Sequence, residues 1–173
     1  MRNIYLRDKA VEYALKYAIT PNPDFRFFYE YGDGGGDCTN FISQCLLAGG
    51  APMAYDAWPW WYNNNGTKQT DNDTWSVSWS VAHSLYWTLK SRGELKLVGI
   101  KAIEVSDISL LDMGDVIQYE KDGNIYHTVI ITAFAYQNGY RFPLVSQHTY
   151  NGRNVTYIKP WSNKMHFMKI YVT

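Results

Sequence analysis

The sequence predicts an α+β domain, with helices in its first half and an antiparallel sheet in its last third. Two observations carry this. Apolar residues recur at helical spacing near the N-terminus and again just after residue 37. From residue 115 the period changes to short β-rich runs separated by hairpin turn signals. Helices first and consecutive hairpins later is the α+β pattern, and 173 residues suit one domain spanning 1–173.

The first helix is expected from about Asn3 to Ile19. Ile4, Val11, Leu15 and Ala18 form its apolar stripe, with Ala10 and Ala14 beside it, and Pro21-Asn22-Pro23 ends it. An aromatic and then glycine-rich loop follows, closing on Gly34-Gly35-Gly36. The second helix starts at once: Asp37 is a good N-cap residue, Cys38, Phe41, Ile42, Cys45 and Leu46 recur at helical spacing, and Gly49-Gly50 stops it. Residues 51–74 read as loop, and residues 79–90 as a third helix stopped near Gly93. Strands are expected at residues 115–119, 126–133, 144–149, 155–158 and 166–172, with turns at 121–124 and 151–152.

Composition narrows the function. Hydrophobic residues make up 46% of the chain, so it can bury a core. Sixteen basic residues balance sixteen acidic ones, which gives no electrostatic case for nucleic acid. No apolar run approaches the roughly 20 residues needed to span a bilayer. The N-terminal residues lack the apolar stretch of a signal peptide, which leaves localisation and oligomeric state open. There is no CxxC or HxxxH spacing, so neither a metal nor another cofactor is expected. The indoles and phenols crowded into residues 58–62, with Trp75, Trp79 and Trp87, read either as aromatic packing or as a wall for a sugar or peptide.

Cys38 is the candidate nucleophile. A helix start offers free N–H groups and a positive dipole end, which favour a thiolate, and the preceding glycines leave the thiol accessible. The Asp37 charge partly opposes this. Cys45, among apolar helical neighbours, reads as core, and seven helical residues (about 10.5 Å) between the two cysteines exclude a disulfide. A thiol needs a base, and the base an orienting partner. His127 opens an apolar strand after a turn, and His148 lies on the next strand. The expected constellation is Cys38 with His127 as base and His148 as orienter, with Gln147 and Asn151 as rivals for the third role. His83 and His166 read as structural.

Gly35-Gly36-Asp37-Cys38-Thr39-Asn40-Phe41-Ile42-Ser43-Gln44 resembles the nucleophile motif of a bacterial amidase domain family. Gly114-Asp115-Val116-Ile117-Gln118-Tyr119 with Tyr126-His127-Thr128-Val129 resembles its histidine segment, and Ser146-Gln147-His148-Thr149 its last motif. The same motif order is similar to that of NlpC/P60 and CHAP cell-wall peptidases. The resemblance implies a papain-like fold and cysteine-dependent hydrolysis of an amide bond in peptidoglycan or a cell-wall peptide, with Cys38, His127 and His148 as catalytic residues. Tyr29-Glu30-Tyr31-Gly32 resembles the segment that shapes the oxyanion site in NlpC/P60 enzymes, so Tyr29 and Asp37 are the oxyanion and substrate candidates. Thr39-Asn40 stands where many of those enzymes carry Ser-Gly. A non-catalytic sugar- or peptide-binding module, or an acyl transferase with the same three residues, is the alternative.

Overall fold

The computed structural model describes residues 4–173. Its order is α1 (Arg7–Tyr17), α2 (Cys38–Ala48), β1 (Tyr62–Asn63), β2 (Thr74–Trp75), α3 (Val77–Ser80), α4 (Ala82–Glu94), β3 (Ile100–Val105), β4 (Val116–Lys121), β5 (Asn124–Gln137), β6 (Tyr140–Gln147), β7 (Gly152–Thr156) and β8 (Lys164–Val172). The α+β class holds: β3-β8-β4-β5-β6-β7 form one six-stranded antiparallel sheet, and β1 and β2 pair separately.

Strand alternation divides the core. Val116, Ile130, Met168 and Ile170 face the helices and pack with Phe41, Ile42, Cys45, Leu46, Leu85 and Leu89. Ile117, Tyr119, Val129, Ile131 and Val145 face the other way and form a second core with Leu111. The register pairs Ile130 with Ser146 and Ile131 with Val145. Gln147 therefore shares the face of Val145, and His148 the helical face of Ser146.

Several expectations change. The first helix begins at Arg7, Ile4 is exposed, and Ala10, Val11, Ala14 and Ala18 are the buried positions; Asn3 lies outside the described residues. The third helix is two, α3 and α4, separated by Val81 in extended backbone. Gly93 lies inside α4, where an added Cβ would collide with the Ala102 carbonyl of β3. Strand β3 falls between the expected helix and sheet. Asp37 precedes α2, but its carboxylate makes no cap bond to the helix.

Candidate active site

A cleft of about 520 Å³ opens where β5 begins and β6 ends. Cys38, the first residue of α2, lines it together with Gly34, Gly35, Gly36 and Thr39. His127 and Gln147 line it from β5 and β6. The two sides are tied beside the nucleophile: Thr39 Oγ1 and Thr128 Oγ1 are 3.1 Å apart, and Gln118 Nε2 donates to Thr128 Oγ1 at 3.1 Å and to the Ala82 carbonyl at 2.9 Å.

Cys38 is buried, with 5% of its surface exposed. Burial pushes its thiol up from the ordinary value, the Thr39 hydroxyl and the Thr128 and Thr39 backbone pull it down, and the Asp37 charge adds a smaller upward push. Burial also pulls the His127 imidazole down to about 4; Gln147 opposes this and the Lys159 charge reinforces it. At neutral pH the site therefore holds a neutral thiol and a neutral imidazole.

Gln147 fixes the imidazole tautomer. Its Nε2 donates to the Tyr150 carbonyl at 2.7 Å, which turns Oε1 toward His127 Nε2, 3.2 Å away. A carbonyl oxygen only accepts, so Nε2 of His127 carries the hydrogen and Nδ1 carries the lone pair. Among the described residues Nδ1 has no hydrogen-bond partner.

His148 does not meet His127. Its Nδ1 lies 2.5 Å from Asp37 Oδ2, its Nε2 donates to the Tyr17 carbonyl at 2.7 Å, and its ring stacks on Phe41 with centroids 4.0 Å apart. Strand alternation is the reason, since it places His148 on the helical face and Gln147 beside His127. Asp37 is buried behind the cleft wall, where Oδ1 accepts from Phe28 N at 2.9 Å and Asn40 Nδ2 at 2.7 Å. Tyr29 is 65% exposed, and neither it nor Asp37 lines the cleft. Asn151 is exposed and reaches toward the Ile19 carbonyl instead.

His83, read as structural, also lines the cleft, as do Tyr126, Lys159 and Trp161, to which the sequence assigned no site role. No spacing signal groups them, because they arrive from three separate segments: α4, β5 and the loop between β7 and β8. His166, read as structural, is buried on the sheet between Glu104 at 2.6 Å and Glu120 at 2.7 Å. Among the described residues no group of three or more His, Cys, Asp or Glu side chains is placed to hold a metal ion, and no helix is long and apolar enough to cross a membrane.

An α2 N-terminus and an antiparallel sheet that bring thiol, imidazole and amide to one cleft define an α+β domain whose cleft is lined by Cys38, His127 and Gln147. The chain belongs to the family described as Putative amidase domain, whose model matches residues 4–171. It is similar to the uncharacterized protein YhbB of Bacillus subtilis (strain 168), 38% identical over 154 residues, which cover 86% of this chain and 43% of YhbB. It is also similar to the uncharacterized protein YjcM of the same organism, 31% identical over 156 residues, covering 84% of this chain and 31% of YjcM. The chain thus spans less than half the length of either relative. No solved structure matches it.

Proposed function

We propose that this chain is a cysteine-dependent amidase of papain-like design, acting on an amide bond of peptidoglycan or a cell-wall peptide. The observation that carries it is the cleft in which Cys38 heads a helix and faces the same space as His127, whose tautomer Gln147 sets. Family membership supports amide hydrolysis in general. The cell-wall substrate and the relation to NlpC/P60 and CHAP enzymes rest on the resemblance of the motifs around Cys38, His127 and His148.

As the Cys38 sulfur attacks the substrate carbonyl carbon, His127 Nδ1 takes the thiol proton. The backbone N–H of Cys38, in the first helical turn and without an intrahelical acceptor, donates to the developing oxyanion. His127 then returns the proton to the amide nitrogen, the C–N bond breaks and the amine leaves, with the acyl group held on sulfur as a thioester. Water, deprotonated by His127, attacks the thioester; the C–S bond breaks and the thiolate recovers its proton. Gln147 positions the imidazole throughout, in the role that the sequence reading gave to His148.

The test is mass-spectrometric analysis of purified peptidoglycan after incubation with the wild-type chain and with Cys38→Ala. New free amine and carboxyl ends with the wild type alone support the reading. Equal product from Cys38→Ala overturns it, as does the absence of product on both intact peptidoglycan and its isolated peptides.

A further inference from the structure

A second concavity of about 540 Å³ lies next to the catalytic cleft, and His83 lines both. Its walls are Trp58, Pro59, Trp61, Trp75, Val77 and Trp87, with serine and threonine side chains between them. The indoles here differ from those of the core. Trp60 and Trp79 are fully buried, and their N–H groups are spent on Ser43 Oγ at 3.0 Å and Asn40 Oδ1 at 2.8 Å. Trp58 and Trp87 are 40% and 44% exposed. Among the described residues the N–H groups of Trp58, Trp61 and Trp75 have no acceptor, and that of Trp87 points to His83 Nε2 at 3.1 Å.

The wall is also held in place at a cost. Trp58 has φ of 66°, a left-handed conformation unfavourable for a bulky side chain. The fully buried Arg92 holds that loop, donating to the Trp58 carbonyl at 3.1 Å and the Ala57 carbonyl at 3.3 Å. A strained backbone clamped by a buried guanidinium keeps an aromatic face turned toward solvent.

We propose that this groove binds a neutral saccharide, the glycan portion of the molecule whose amide bond enters the cleft. The inference rests on the amidase reading for the identity of that molecule, and on the groove alone for its chemistry. No Asp, Glu, Lys or Arg side chain lines the groove, which suits a neutral ligand. Indole faces pack against the C–H faces of a pyranose ring, while the free N–H groups donate to its hydroxyl or acetamido oxygens. A purely apolar occupant would desolvate those donors without a partner. The strands at the groove, β1 and β2, are two residues long and already paired with each other, so they offer little edge for a peptide to extend. Continuity through His83 places the saccharide on the same molecule as the scissile bond.

Binding of chitotetraose, a neutral N-acetylated oligosaccharide, to the full chain is measured by calorimetry in the Cys38→Ala background, so that turnover plays no part. Saturable binding is expected, weakened about tenfold or more by Trp58→Ala, Trp61→Ala and Val77→Arg. Val77→Arg changes an exposed side chain and adds charge to the wall without removing packing, so it reports even where an indole deletion disturbs folding. Tyr140→Ala, an exposed aromatic outside the groove, should leave binding unchanged. With Cys38 restored, the groove variants should keep the wild-type rate of Cys38 alkylation by iodoacetamide. Absence of saturable saccharide binding, equal affinity in Val77→Arg, or preferential binding of a neutral acetylated tetra-alanine amide would overturn the proposal. Saccharide binding without any peptidoglycan cleavage would leave the groove assigned and the amidase reading rejected.

Discussion

Gln147 Oε1 lies 3.2 Å from His127 Nε2, and the other end of the same amide is anchored on the Tyr150 carbonyl. The amide cannot rotate to present its N–H₂ to the imidazole without giving up that anchor. The proton on His127 is therefore held on Nε2, and Nδ1 carries the lone pair that the proposed mechanism uses. Replacing Gln147 by Ala frees the ring and the tautomer, and kcat should fall roughly 100-fold, the scale of a misdirected proton transfer. Gln147→Glu places an anion beside Nε2 and should raise the imidazole pKa, so the acid limb of kcat/KM should move to higher pH. An unchanged limb in Gln147→Glu would remove Gln147 from the site.

The buried imidazole also sets a pH dependence for the wild type. With His127 held near 4, the base stays unprotonated far below the ordinary histidine value. The acid limb of kcat/KM should fall near pH 4, well under 6.5. Lys159 contributes to the lowering, so Lys159→Met should shift the limb upward. A wild-type limb at 6.5 or above would contradict the neutral-pair description.

The same shift predicts a stability change. Above pH 6.5 His127 is neutral both folded and unfolded and contributes no pH dependence. Between 6.5 and about 4 the unfolded chain takes up a proton that the folded chain refuses, so unfolding free energy falls with pH through that window. The full contribution is on the order of 3 kcal/mol. Urea titrations from pH 7 to 4 should show a shallower decline in His127→Gln than in wild type.

Much of this arrangement was legible in the sequence. The glycine run, the helical stripe from Cys38 to Leu46 and the turn before His127 marked the helix start and the strand that line the cleft. The third residue was not legible. Alternation along Ser146-Gln147-His148 said that one of the two side chains faces away, but not which. That depends on the pairing of Ile130 with Ser146, a long-range register that local pattern does not encode. Asp37 departs from expectation for a related reason: its position before α2 is that of a cap, yet its carboxylate is taken by the Phe28 N–H, by His148 from the end of β6, and by the Asn40 side chain. Strand β3 is hidden in the sequence because Lys101 and Glu104 interrupt its apolar residues; Lys101 donates to the Leu97 carbonyl and Thr173, and Glu104 is held by Tyr86, Lys90 and His166.

His148 then makes a prediction of its own. Together with Asp37 it forms a buried strut between the end of β6 and the segment leading into α2, immediately behind Gln147 and Cys38. Removing one partner of a buried, hydrogen-bonded pair costs about 3–5 kcal/mol. For a chain of this size His148→Ala should lower Tm by on the order of 10 °C. Its acid limb should stay where the wild type has it, because the ring does not touch His127. A displaced limb with unchanged Tm would restore His148 to the role of orienter.

Arg92 offers the sharpest test of how the aromatic groove is built. Its guanidinium is fully buried in α4 and serves two segments at once, residues 98–100 and residues 56–58. Nε donates to the Ile100 carbonyl at 2.9 Å, Nη2 to the Val98 carbonyl, and Nη1 to Asp56 at 2.5 Å as well as to the Ala57 and Trp58 carbonyls. Lysine keeps the positive charge but has a single nitrogen with three donors, and it cannot span acceptors arranged around a planar fork. Arg92→Lys should therefore leave carbonyls without partners, of which the buried Ile100 carbonyl costs most, about 1–3 kcal/mol. The urea midpoint should fall while the m-value stays constant, since the folded core is otherwise retained. The loss should also release the left-handed backbone at Trp58, so near-ultraviolet circular dichroism from the indoles should weaken and chitotetraose affinity should drop with it. Cys38 lines the adjoining cleft, which Arg92 does not line, and its alkylation rate should change little in the folded variant. Wild-type stability and an unaltered indole spectrum in Arg92→Lys would show that the loop carrying Trp58 does not depend on the buried guanidinium.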